Sequence, residues 1–206
     1  LVNFASLDPT LKARNIKGAI NIGKLDKIVF EEFYNDWNSL AYESEILLSK
    51  FLNEPIEIAE VDELEYVNFR EGKVKDSIVK VRVNQAFFRS AVMASYNNKC
   101  CITGISIADF LIASHIIPWA KDEKNRLIPE NGLCLNSIHD KAFDKGYITI
   151  DFDYKLRLSK YLKDFNKENN IHKFFLDFDN KEIELPKRFL PKREFLEYHH
   201  LNIFKK

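Results

Sequence analysis

Apolar positions along the chain change period several times, and the changes mark the elements. Val29, Phe33, Trp37, Leu40, Leu47 and Phe51 recur at three- and four-residue steps after Asp26, a residue suited to capping. This spacing predicts a long helix with a core-facing stripe, interrupted near Glu43-Ser44 and ended by Pro55. Before it, Asp8-Pro9, Gly18 and Gly23 give Leu1 to Gly23 an irregular reading with a short helix at Leu11 to Ile16. Glu57 to Phe69 alternates loosely and reads as one or two strands or a linker. A second helix, about Asn84 to Asn97, has two faces: Phe88, Val92 and Tyr96 on the buried one, Arg82, Gln85 and Arg89 on another. Phe110 to Trp119 reads as an apolar strand, Ala120 to Glu130 as a polar loop, and Leu133 to Leu135 as a short strand. A helix from Ser137 to Lys145 stops at Gly146; a hairpin turns through Asp153-Tyr154, and a last helix starts at Pro191, whose ring suits a first turn.

These elements make an α+β protein. At 206 residues and 24.2 kDa, with 46% hydrophobic and 30% charged residues, the chain can bury a core of its own. Zero formal net charge hides an asymmetry. Ile28 to Glu65 carries eleven carboxylates and one base, whereas Tyr66 to Lys99 carries seven bases and two acids. We therefore expect an acidic, mainly helical N-terminal domain over 1–78 and a second domain over 79–206 suited to a polyanion. The opening residues lack the order of a signal peptide and no apolar run is long enough to span a bilayer, so no membrane association and a cytoplasmic location are expected. Three cysteines, two of them adjacent, form no disulfide framework.

The chemistry concentrates between Phe110 and Lys145. His115 falls on the first strand, Asn131 opens the second, and His139 lies early on the helix. A hairpin folded on a helix is expected to bring the two imidazoles to face one another across a cleft. The stretches Ala113-Ser114-His115-Ile116-Ile117-Pro118-Trp119, Asn131-Gly132-Leu133 and His139-Asp140-Lys141-Ala142-Phe143-Asp144-Lys145-Gly146, in this order and spacing, resemble the HNH endonuclease family and its ββα-metal motif. The Arg82 to Arg89 helix and Cys101-x-Thr103-Gly104 are similar to the lead-in of HNH nucleases in restriction and phage defence.

The resemblance implies an HNH nuclease domain at the C-terminal side of the chain, acting as a metal-dependent endonuclease on double-stranded DNA. His115 matches the general base, for which a pKa near neutrality is suited. Asn131 matches the residue that orients it, and His139 the helix metal ligand. The implied ion is Mg²⁺ first, with Mn²⁺, Ni²⁺ or Zn²⁺ also compatible with a histidine ligand. Arg82, Gln85, Arg89, Lys121, Lys124 and Arg126 are the candidate DNA contacts. Cutting both strands calls for a homodimer or two visits.

The sequence departs from the family pattern twice. Ser114 stands where many members carry a second metal ligand, which leaves that role open to Asp144 or Asp140; it also motivates the rival reading, a DNA-binding or scaffold protein that has lost cleavage. Many relatives also hold a structural zinc on two Cys-x-x-Cys pairs. Here Cys101 and Cys134 are matched with Gly104 and Ser137, so no four-cysteine site forms, and apolar packing around Ile102, Ile112, Leu133, Leu135 and Phe143 is expected in its place.

Overall fold

The computed structural model describes residues 4–19, 21–53 and 74–206, with the backbone alone for 74–82. The chain folds as two compact units, Leu1–Ala86 and Phe87–Lys206. The expected boundary at 78/79 falls inside a helix that runs through both. The expectation for Glu57 to Phe69 lies outside the described residues.

In the first unit, Asp8 caps α1 (Pro9–Ala13) by accepting from the backbone N–H groups of Thr10 and Leu11, and Pro9 occupies the first turn. The single long helix predicted after Asp26 is two helices, α2 (Lys24–Phe33) and α3 (Trp37–Leu52). Asp36 causes the break: its carboxylate accepts from the Ser39 N–H at 3.0 Å and starts α3 afresh. Phe4, Phe30 and Tyr34 stack in series, and Ala41 is fully buried. Leu47 and Phe51, expected in the core, are instead 65% and 87% exposed among the described residues.

The helix α4 (Val74–Ser95) is longer than its periodicity suggests, and its last turns feed the core of the second unit through Phe88, Val92 and Met93. After a turn at 96–104 come β1 (Leu111–His115) and β2 (Gly132–Asn136), antiparallel with Leu111 opposite Asn136 and His115 opposite Gly132. Then follow α5 (Ser137–Asp144), which packs against both strands, and the hairpin β3 (Ile148–Ile150) and β4 (Leu156–Leu158). The short α6 (Lys160–Lys163) and α7 (Asn169–Phe174) and the closing α8 (Arg193–Asn202) complete an α+β unit with two separate two-stranded sheets. Pro191 precedes the N-cap of α8, Lys192, and so lies just outside the first turn expected for it.

Every residue of β2 is buried, because it has β1 on one side and α4 and α5 on its faces. Gly132 is required there. A β-carbon at this position would collide with Val92 and meet the Phe88 ring at 2.9 Å. We expect Gly132→Ala to destabilise the second unit by about 1–3 kcal/mol through overpacking, read as a lower urea midpoint at constant slope. At the far end of α5, Gly146 sits at φ +71°, and its N–H and that of Tyr147 donate to Phe143 and Ala142 to close the helix.

A buried histidine ties α8 to this core. His199 stacks on Phe143 at 3.7 Å; its Nε2–H donates to the Phe143 carbonyl, and its Nδ1 accepts from the Thr149 hydroxyl at 2.8 Å. Burial lowers its pKa from 6.5 to about 4, against the pull of the Phe143 carbonyl, with His200 adding to the fall. The unfolded chain therefore takes up a proton below pH 6.5 that the folded chain refuses until about pH 4. Stability held above pH 6.5 is expected to fall by up to about 3 kcal/mol across that window. Urea melts between pH 7.5 and 4.5 check this, and His199→Gln should remove its share of the dependence while leaving that of His115, whose pKa burial also lowers to about 4.

Candidate functional site

His115 ends β1 because the next peptides are taken by Asn131 rather than by a strand partner. The Ile116 N–H donates to the Asn131 carbonyl at 2.9 Å, and the Ile117 N–H to its side-chain Oδ1 at 2.8 Å. The strand expected as far as Trp119 is thereby cut short. Asn131 is wholly buried, and its Nδ2 also donates to the carbonyls of Ile117 and Asn125, so one amide ties both ends of the 117–125 loop. Asp122 folds the loop from within by accepting from the backbone of Lys124 and Asn125.

The residue after Asn125 holds the imidazole. The Arg126 carbonyl lies 2.9 Å from His115 Nε2; a carbonyl only accepts, so Nε2 carries the proton and Nδ1 the unshared pair. The ring is stacked on Phe88 at 3.8 Å and meets the edge of Trp119 at 5.4 Å, and the Arg126 guanidinium lies 4.9 Å over that indole. Burial lowers the His115 pKa to about 4, with the Arg126 carbonyl pulling it up. That is below the near-neutral value expected from sequence, and it keeps the imidazole neutral at pH 7.

His139 is in different surroundings. It is fully buried, with Nδ1 2.7 Å from Asn136 Nδ2, Nε2 2.7 Å from the Phe174 carbonyl, and Phe175 and Phe178 edge-on to its ring. Both nitrogens are occupied, and the two imidazoles share no partner. His139 is expected from sequence as a metal ligand; here its two ring nitrogens face Asn136 and the Phe174 carbonyl. What α5 presents to β1 is the next residue. Asp140 is placed so that the Ser114 hydroxyl lowers its pKa, while burial, the larger effect, raises it. Ser114 is 3% exposed, and its Oγ makes no hydrogen bond of proper geometry. Asp144 lies one turn further along α5 on its exposed side. Among the described residues, no three His, Cys, Asp or Glu side chains gather into a metal-holding group.

Of the expected DNA contacts, Lys121 and Lys124 are exposed on the 117–125 loop and Arg126 is half-buried beside His115. The buried Nε of Arg126 has no hydrogen-bond partner. Arg89 is exposed but donates to the Leu111 carbonyl at 2.9 Å, which fixes the start of β1. Gln85 is half-exposed, and the side chain of Arg82 lies outside the described residues. Sequence reasoning understated Asp140, which adjoins a histidine with a stronger motif signal, and missed Trp119.

No curated protein matches the chain. Residues 100–151 match the family model of the HNH endonuclease, and this interval contains β1, the Asn131-tied loop, β2 and α5 in the order that places His115 beside the helix-bearing hairpin. Over residues 100–151 the chain is thus similar to the HNH endonuclease family.

Proposed function

We propose that the second unit is a metal-dependent endonuclease that hydrolyses phosphodiester bonds of double-stranded DNA, with His115 as general base. The observation that carries this reading is the His115 ring itself, held by the Arg126 carbonyl in the tautomer that leaves Nδ1 unprotonated. An imidazole held this way can take a proton from an attacking water. Asn131 orients it indirectly, by fixing the loop that ends at Arg126. The Arg126 guanidinium, which lies over the Trp119 indole, is suited to a phosphate oxygen, and Lys121 and Lys124 to flanking phosphates.

The family generally uses a divalent ion, and the donors present fit one. The Asp140 carboxylate and the orphaned Ser114 hydroxyl are hard oxygen donors of the kind Mg²⁺ and Mn²⁺ prefer, and Asp144 is one helical turn away. When bound, the ion supplies charge neutralisation at the phosphate and the leaving oxygen. His139 is not in this set. The rival reading of a non-cleaving scaffold drew on Ser114; Asp140 beside it supports the catalytic reading instead.

A role in restriction or phage defence in the cytoplasm goes with the lead-in helix. One such site cuts one strand at a time, so a double-strand break takes two copies or two visits. The test is conversion of supercoiled plasmid. We expect nicked circles to accumulate before linear DNA in Mg²⁺ or Mn²⁺, and no product in EDTA. Binding without cutting in every metal would favour the scaffold.

A further inference from the structure

Four side chains meet in the second unit, away from His115. Cys100 and Thr103 come from the turn ahead of β1, and Asn136 and His139 from the junction of β2 with α5, so each pair is separated by two residues. Asn136 is the centre. Its Oδ1 accepts from the N–H groups of Ile138 and His139 as the cap of α5, which fixes the amide so that Nδ2 points inward. Nδ2 lies 2.7 Å from His139 Nδ1, 3.2 Å from Thr103 Oγ1 and 3.6 Å from Cys100 Sγ. Cys100, Asn136 and His139 are buried. Burial pushes the Cys100 thiol up, but hydrogen bonds involving His139, Thr103 and the backbone outweigh it and leave the thiol at about 7.

Two pairs of side chains with this spacing, one on a turn and one at a helix start, are how cysteines and histidines surround a tetrahedral zinc. The outer contact of His139 has the same character. Its Nε2–H donates to the Phe174 carbonyl, as the far N–H of a zinc-bound histidine donates to a backbone acceptor. Yet two of the four side chains, Thr103 and Asn136, are not zinc ligands, and the Asn136 amide group sits where the others converge. The positions compared in the sequence, Cys101 with Gly104 and Cys134 with Ser137, lack a second thiol in each pair, and Cys134 Sγ contacts Met93 Sδ at 3.5 Å.

We propose that Cys100, Thr103, Asn136 and His139 form a metal-free clasp in the place of a zinc knuckle, pinning the turn ahead of β1 to the first turn of α5. Hydrogen bonds from one amide replace the metal–ligand bonds, so the fold needs no ion. On the functional reading above, the clasp also sets Asp140, the residue that follows His139, against β1; this clause alone rests on that reading. The geometry has a sharp consequence. Thr103→Cys together with Asn136→Cys supplies the two missing thiolates beside Cys100 and His139, and turns the clasp into a zinc site.

The experiment compares the full-length parent with the T103C/N136C variant. The parent is expected to be purified without zinc and to melt at the same temperature in EDTA or added Zn²⁺. The variant should bind one Co²⁺ with thiolate charge-transfer bands and the visible spectrum of a tetrahedral site. Zn²⁺ should displace it and raise the melting temperature, and chelation should reverse the gain. The Asn136→Cys single variant, one ligand short, should bind Co²⁺ at least tenfold more weakly. A variant that refolds only with Zn²⁺ supports the clasp equally. Three outcomes would overturn it: stoichiometric zinc in the parent with loss of its melting transition on chelation, a folded double variant without a tetrahedral cobalt spectrum, or a double variant that folds in neither condition. These readouts are independent of cleavage, so they score the clasp even if no form of the protein cuts DNA.

Discussion

His115→Ala is expected to lower the cleavage rate by a factor of about 10² to 10⁴, the usual contribution of a positioned general base. Binding should survive. The imidazole contacts Phe88, Trp119 and the Arg126 carbonyl, none of which it needs for holding phosphate, and the Lys121, Lys124 and Arg126 side chains remain in place. DNA affinity at fixed salt should therefore stay within about twofold while the single-turnover rate collapses. His115→Gln is the control for packing: it fills much of the ring's volume and can still donate to the Arg126 carbonyl, but it offers no basic nitrogen. If both variants melt near the parent and both lose cleavage, the loss belongs to the chemical step. If His115→Gln retains cleavage near the parental rate, the ring is there for packing.

The second large effect separates two neighbours on α5. Asp140→Asn keeps shape and volume but removes the charge beside Ser114, and we expect the Mg²⁺ needed for half-maximal cleavage to rise by about 10- to 100-fold. Part of the rate should return at high Mg²⁺. His139→Ala should behave otherwise. It empties a buried ring site, removes the shortest contact of Asn136 Nδ2 and takes the donor from the Phe174 carbonyl, which costs about 3 kcal/mol or more in stability. The molecules that remain folded should need more Mg²⁺ only as far as loss of the clasp displaces Asp140, a smaller rise than in Asp140→Asn. A metal titration of the two variants at a temperature where both are folded decides between them. An unchanged requirement in Asp140→Asn, with a raised one in His139→Ala, would return the ligand role to the histidine.

The choice between these two neighbours shows where sequence reading stops. The strand, loop, strand and helix order was legible because His115, Asn131 and Gly132 each leave a local signal: a polar residue in an apolar strand, a turn dipeptide, and a glycine where the Phe88 and Val92 side chains press in. The family resemblance implied an amide bracing the loop at Asn131, and an amide with both donor and acceptor does tie that loop at two ends. The phase of α5 was not. Successive helix positions differ by about 100°, so a one-residue choice between His139 and Asp140 decides which side chain meets β1, and eight residues give too little periodicity to settle it. The sequence excluded a four-cysteine staple through Cys101 and Cys134, but it did not show which side chains meet, because these include a threonine and an asparagine, which carry no metal signature. Asp36 hid the break between α2 and α3, because an acidic residue in an amphipathic stretch looks like a solvated position until its carboxylate is seen capping a helix.

The central claim is that His115 performs hydrolysis with a divalent ion on duplex DNA, and single-turnover cleavage of supercoiled plasmid by parent and His115→Gln in Mg²⁺ tests it most directly. The account predicts nicked product from the parent, none from the parent in EDTA, and a rate at least about a hundredfold lower from the folded variant at equal DNA occupancy. Equal rates from parent and variant, or no product from the parent in Mg²⁺ or Mn²⁺, would contradict it.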